Sequence, residues 1–118
     1  MQSRFKIMDK RLYSELVIVL TTEVNDTVAS CLAKELVKRN LVACVNLREI
    51  KSYFSWEGKI EEVKEVQLLM KTTKDQMQNL FDVINQLHTY DIPELLYWNA
   101  SASDSYREWV ETSVSIFT

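Results

Sequence analysis

The chain has 118 residues with a formal net charge of −3, and 47% of them are hydrophobic. That length is one domain's worth and buries a core without disulfide or metal staples. The acidic balance, with basic residues scattered apart from those near the N-terminus, argues against a nucleic-acid partner, which would need a clustered cationic face.

Residues 1–14 read as a polar, charged N-terminal arm ahead of a single domain over residues 15–118, with basic residues gathered between Lys6 and Arg11. The arm lacks the apolar stretch of a signal peptide. No run approaches the ~20 apolar residues of a membrane span. The expectation is a cytoplasmic protein with no membrane association. Cys31 and Cys44 form no C-x-x-C pair. Both are expected as buried, reduced thiols in a reducing compartment.

The first element, residues 16–20, is a β-branched apolar run and reads as a strand covered on both faces. Asn25 or Asp26 caps a helix that runs to about Asn40, itself a candidate left-handed C-cap. Ala29, Leu32, Ala33, Leu36 and Val37 give that helix one apolar face. A second strand covers residues 42–47. The pattern breaks over residues 48–51, where a bulge or bend is expected. It resumes at Tyr53, Phe54 and Trp56.

Gly58 is the only glycine. Glycine supplies positive φ at a hairpin turn, so the turn falls there. The return strand spans residues 59–73 and alternates with period two. Its first half is too charged for a core, so the hairpin projects beyond the body. Thr73 then caps a second helix to His88, with Met77, Leu80, Phe81, Ile84 and Leu87 as its apolar stripe. Pro93 prevents further helix. Residues 94–99 read as a fourth strand. Ser103 or Asp104 caps a short third helix carrying Tyr106, Trp109 and Val110.

The order β-α-β-β-α-β-α is an α+β fold. Its first six elements form the ferredoxin-like split βαβ arrangement, with a long hairpin between the second and third strands and an extra C-terminal helix. A long unpaired ribbon is an edge liability that a second subunit would remove.

Enzyme readings lack support. One glycine cannot build a phosphate-binding loop, and there is no G-x-S-x-G elbow. An acylphosphatase-like enzyme needs an arginine-bearing anion loop after the first strand, where this chain has Thr21-Thr22-Glu23-Val24-Asn25. An RNA-binding protein of this topology needs aromatic strand motifs and a basic face.

In sequence, the chain resembles the CutA family of divalent-cation tolerance proteins. The resemblance rests on Leu41-Val42-Ala43-Cys44-Val45-Asn46, Ser52-x-x-x-Trp56-Glu57-Gly58-Lys59-Ile60-Glu61, Glu65-Val66-Gln67-Leu68, Lys71-Thr72, His88-x-Tyr90-x-x-Pro93-Glu94-Leu95 and Tyr106-x-x-Trp109. It implies a non-enzymatic homotrimer of ferredoxin-like subunits that binds copper or another divalent cation, with no organic cofactor. Thr21 stands where some members have cysteine. A soft ligand is thereby lost, and modest affinity is implied.

His88, the only histidine, is the first candidate ligand. Its ordinary role would be a helix C-terminal residue favoured by the dipole. Glu65 and Cys44 complete the candidate metal set, although Cys44 also reads as a packed strand cysteine. Copper binding through a neutral imidazole would weaken as pH falls through about 6.5. Tyr53, Trp56, Tyr90, Tyr106 and Trp109 are candidates for a trimer interface or cleft. The rival reading is a signalling trimer similar to the PII proteins, which bind a small ligand between subunits.

Overall fold

The computed structural model describes residues 15–115. The expected N-terminal arm, with the basic residues between Lys6 and Arg11, lies outside them. The described chain runs β1 (Leu16–Glu23), α1 (Asp26–Lys38), β2 (Cys44–Trp56), β3 (Lys59–Thr72), a 3-10 turn (Lys74–Gln76), α2 (Met77–Leu87), β4 (Leu96–Ala100) and α3 (Asp104–Ser113). The four strands form one antiparallel sheet in the order β2-β3-β1-β4. No helix among the described residues is long and apolar enough to cross a membrane.

Local chemistry explains the boundaries. The Asn25 side chain accepts the Val28 amide at 2.9 Å and starts α1. Asn40, with φ 58°, ends it. The Leu41 amide then reaches back to the Leu36 carbonyl at 3.1 Å, a Schellman closure. Ser103 caps α3 through the Tyr106 amide. The β2–β3 turn has Glu57 at φ 50° and Gly58 at φ 77°, the backbone of a two-residue type I′ hairpin.

Three expectations about local structure are corrected. Residues 48–51 form no bulge, because the β2–β3 register runs unbroken from Cys44↔Lys71 to Trp56↔Lys59. The polar residues there mark an exposed ladder rather than an irregular one. Thr73 makes no side-chain cap, since a 3-10 turn leads into α2. Cys31 is exposed on α1, while Cys44 is half-buried.

The core gathers Val17, Val19, Leu68 and Met70 from the sheet against Ala29, Leu32 and Leu36 of α1 and Leu80 and Ile84 of α2. Leu87 and Val37, assigned to apolar helix faces, are exposed instead. Alternation along β1 turns Ile18 and Leu20 to the opposite sheet face, where they are only half-buried. Within one subunit β1 is thus not fully covered on both faces. Leu96 and Trp98 of β4 pair with Leu20 and Ile18 and extend this exposed apolar face.

β3 pairs with β1 only as far as Glu23↔Val66. Beyond that point, residues 50–65 are a two-stranded ribbon. Tyr53, Phe54, Trp56 and Ile60 are all exposed on it.

Candidate functional site

The site lies where β1 ends and α2 stops. His88 follows Leu87 with extended backbone, and its amide bonds the Ile84 carbonyl at 2.8 Å. The imidazole turns back onto β1. Nε2 is 2.5 Å from the Thr22 carbonyl oxygen and 3.3 Å from Thr21 Oγ1. The Tyr90 amide donates to Nδ1 at 2.9 Å. A carbonyl only accepts and an amide N–H only donates, so these partners select the neutral tautomer with the proton on Nε2.

Glu23 is the neighbouring group. Its side chain and that of His88 are both 0% exposed, with Glu23 Oε2 3.7 Å from His88 Nδ1. Its Oε1 accepts the Val24 amide at 2.9 Å and its Oε2 accepts the Thr89 amide at 3.0 Å. A buried carboxylate is tolerated because backbone donors replace its water. The turn over residues 88–90 is therefore held at two amides by two buried side chains.

That turn aims Tyr90. Its ring packs 5.1 Å from the His88 ring. Its hydroxyl donates to Glu65 Oε2 at 2.8 Å. Burial, then the Glu65 hydrogen bond and the charges of Glu65 and Glu23, push the Tyr90 phenol up to about 12. The proton therefore stays on Tyr90 at neutral pH.

Glu65 lies one residue beyond the last β1 pair and borders an open cleft of about 520 Å³. Val24, Asn25 and Asp26 from the end of β1 and the start of α1, with Glu49, Ile50 and Lys51 of β2 and Lys64 and Val66 of β3, line the rest. Lys51 and Lys64 are directly opposed across the strands.

The predicted ligands are thus only partly brought together. His88 and Glu65 share one network through Tyr90. Cys44 pairs with Lys71, six residues along β3 from Glu65 and about 20 Å away. Its sulfur lies 3.9 Å from Lys71 Nζ, which also bonds Asn46. Among the described residues no three His, Cys, Asp or Glu side chains gather as a metal would need. His88 as arranged has no lone pair to give. Glu65 keeps Oε1 clear of the Tyr90 bond and fits a hard cation as a single oxygen ligand.

The aromatic candidates separate as well. Tyr53 donates to Glu62 and Trp56 flanks the turn. Tyr106 and Trp109 pack against each other at 5.6 Å on α3. Burial, and secondarily the Cys44 thiol, raise the Tyr106 phenol. Glu23 was the residue missed by sequence reasoning. The signal was its parity, since Glu23 shares the inward face of β1 with Val17, Val19 and Thr21.

Comparison with known proteins matches this architecture to one family. The family described as CutA1 divalent ion tolerance protein matches residues 17–113. The divalent-cation tolerance protein CutA of Pyrococcus horikoshii is 38% identical over 96 residues, 80% of this chain and 94% of that protein. Its counterpart from Pectobacterium atrosepticum is 38% identical over 109 residues, 91% of this chain and 99% of that protein. The CutA1 crystal structure from Ehrlichia chaffeensis superposes with a TM-score of 0.84 at 27% identity, covering 86% of this chain and 97% of that one. The Synechococcus elongatus CutA structure also gives 0.84, at 35% identity, covering 86% and 92%. The chain belongs to the CutA1 divalent ion tolerance family.

Proposed function

We propose that the protein is a non-enzymatic divalent-cation tolerance protein, working as a cytoplasmic homotrimer that binds copper or a similar divalent cation with modest affinity. The observation that carries this reading is the family match over residues 17–113, joined by 38% identity to proteins named for divalent-cation tolerance. Glu65 is the ligand with a free oxygen, and its companions on the cation come from a second subunit. His88 joins only if its bonds to Thr22 and Tyr90 open. No organic cofactor, nucleic acid or membrane takes part.

The exposed ribbon supports the trimer. A two-stranded hairpin is marginal in water by itself, and this one carries large apolar side chains in the open. Packing it on neighbouring subunits would cover both the ribbon and the bare sheet face.

The test is calorimetry of the purified protein with copper, zinc and nucleotides, run beside light scattering. Cation binding by a particle of about three subunit masses supports the reading. A clean monomer with native helix and sheet content overturns the trimer. The open cleft of about 520 Å³ between the start of α1 and the hairpin favours one second reading, a PII-like trimer taking a small ligand between subunits. Low-micromolar nucleotide binding without any cation response would select it.

A further inference from the structure

We propose that the open sheet face binds an amphiphilic carboxylate, its head on Arg48 and its apolar chain laid across Leu69, Leu20 and Leu96. This goes beyond the cation reading and does not depend on it. An open cavity of about 560 Å³ lies on this face, lined by Leu20, Asn46, Leu47, Arg48, Gln67 and Leu69. No carboxylate is among these side chains. Glu65 comes next on the same face of β3, outside the lining, with its Oε2 bonded by Tyr90.

The head group follows from hydrogen-bonding valence. Arg48 Nη2 donates to Gln67 Oε1 at 2.9 Å, across a directly opposed strand pair. Lys71 Nζ donates to Asn46 Oδ1. Cationic groups only donate, so both amide oxygens face them and both amide NH2 groups are left over. The guanidinium carries five N–H groups and gives one to Gln67. The polar end of the cavity therefore offers side-chain donors. That complements a carboxylate, whose two oxygens only accept and match the guanidinium fork. A metal ion would meet two cations there and no anionic ligand.

The chain follows from strand register. Asn46 opposes Leu69, Leu69 opposes Leu20 and Leu20 opposes Leu96, one row across all four strands. The row spans three strand spacings, about 14 Å, polar at the β2 end and apolar from there on. Leu20 and Leu69 are half-buried and Leu96 is exposed. An acyl chain along the row takes this apolar surface out of water while the carboxylate stays on the donors.

The experiment is calorimetry of the intact protein at neutral pH with decanoate, with decanol, which keeps the chain, and with acetate, which keeps the head. Wild type, Arg48→Gln and Lys34→Gln are compared, with circular dichroism verifying each fold. Arg48 is exposed, so its loss leaves the fold intact. Lys34→Gln removes the same charge from an exposed position on α1. We expect saturable decanoate binding by wild type and Lys34→Gln, and binding roughly tenfold weaker or worse by Arg48→Gln. Decanol and acetate should each bind wild type at least roughly tenfold more weakly than decanoate does. Equal weakening in Lys34→Gln reduces the effect to general charge and overturns the site. Decanol or acetate binding as tightly as decanoate also overturns it. If neighbouring subunits fill this face instead, wild type shows no saturable decanoate binding and the site falls, whatever the cation titration gives.

Discussion

The Nε2 of His88 lies 2.5 Å from the carbonyl oxygen of Thr22, so the only imidazole in the chain is committed to its own backbone. This makes His88 a staple between the end of α2 and the end of β1. His88→Ala should lower stability by about 1–3 kcal/mol, because the buried Thr22 carbonyl and the Tyr90 amide lose their partner. Urea unfolding in the presence of a chelator measures this. A loss that appears only when metal is supplied would assign the residue to a cation instead. Nitrogen NMR should show the Nε2–H tautomer at neutral pH.

The hairpin turn offers a backbone test. Gly58 has φ 77°, and nothing lies within 4 Å of the point a Cβ would occupy, so Gly58→Ala meets no clash and carries only conformational strain. A loss of about 1 kcal/mol is expected. Glu57 already sits at φ 50° with a side chain poorly suited to it. Glu57→Asn should therefore stabilise the protein by a few tenths of a kcal/mol, since Asn-Gly is the preferred pair of this turn. Urea midpoints of the two variants should move in opposite directions.

Trp56 is 62% exposed within one subunit. Truncating an exposed side chain in a monomer should change stability by no more than about 0.5 kcal/mol. If the trimer covers Trp56, Trp56→Ala should cost roughly 3–5 kcal/mol per subunit and weaken assembly. Light scattering and thermal melting at several protein concentrations distinguish the cases. Unchanged mass and melting would leave the ribbon tip exposed in the assembly too.

Tyr90 gives a prediction in alkaline solution. Its folded phenol is raised to about 12 from an ordinary value near 10. A raised value means the folded state prefers the proton. The contribution to stability is full below pH 10 and is lost as pH rises towards 12. Tyr90→Phe has nothing to lose in that window. Wild type should therefore lose more melting temperature than Tyr90→Phe between pH 9 and pH 11, and parallel losses would contradict the assignment. Tyr53 and Tyr106, also raised, titrate in both proteins and cancel in the comparison.

Much of the fold was legible because local chemistry and global packing agree. Asn25, Asn40, Gly58 and Ser103 each mark a boundary for a backbone reason visible in the residue type. The run over residues 48–51 misled because polarity on a ribbon solvated on both faces looks like a break in a half-buried strand. Thr73 has the right chemistry for a cap, but the chain enters α2 through a 3-10 turn in which Gln76 is buried and donates to the Val114 carbonyl. The site was legible as a set of residues, His88, Tyr90 and Glu65, but not as a hydrogen-bonding order. Which group spends its lone pairs on which depends on Thr22 and Glu23, each 66 residues before its partner in the turn. Cys44 joined the set through the family resemblance and its thiol, and the strand register carries it away from the others.

The outer ribbon has one more consequence, for hydrogen exchange. Residues 50–56 extend along the hairpin as a cantilever of about 23 Å, with β3 as their one strand partner. Opening such a segment in a lone subunit requires little beyond fraying from the tip, so its amides should exchange orders of magnitude faster than those of Val19 or Leu68. In an assembly that covers the ribbon, the same amides can exchange only when a subunit lets go. Their protection would then track the dissociation equilibrium rather than unfolding, so that dilution alone should deprotect the tip while leaving the central strands unchanged.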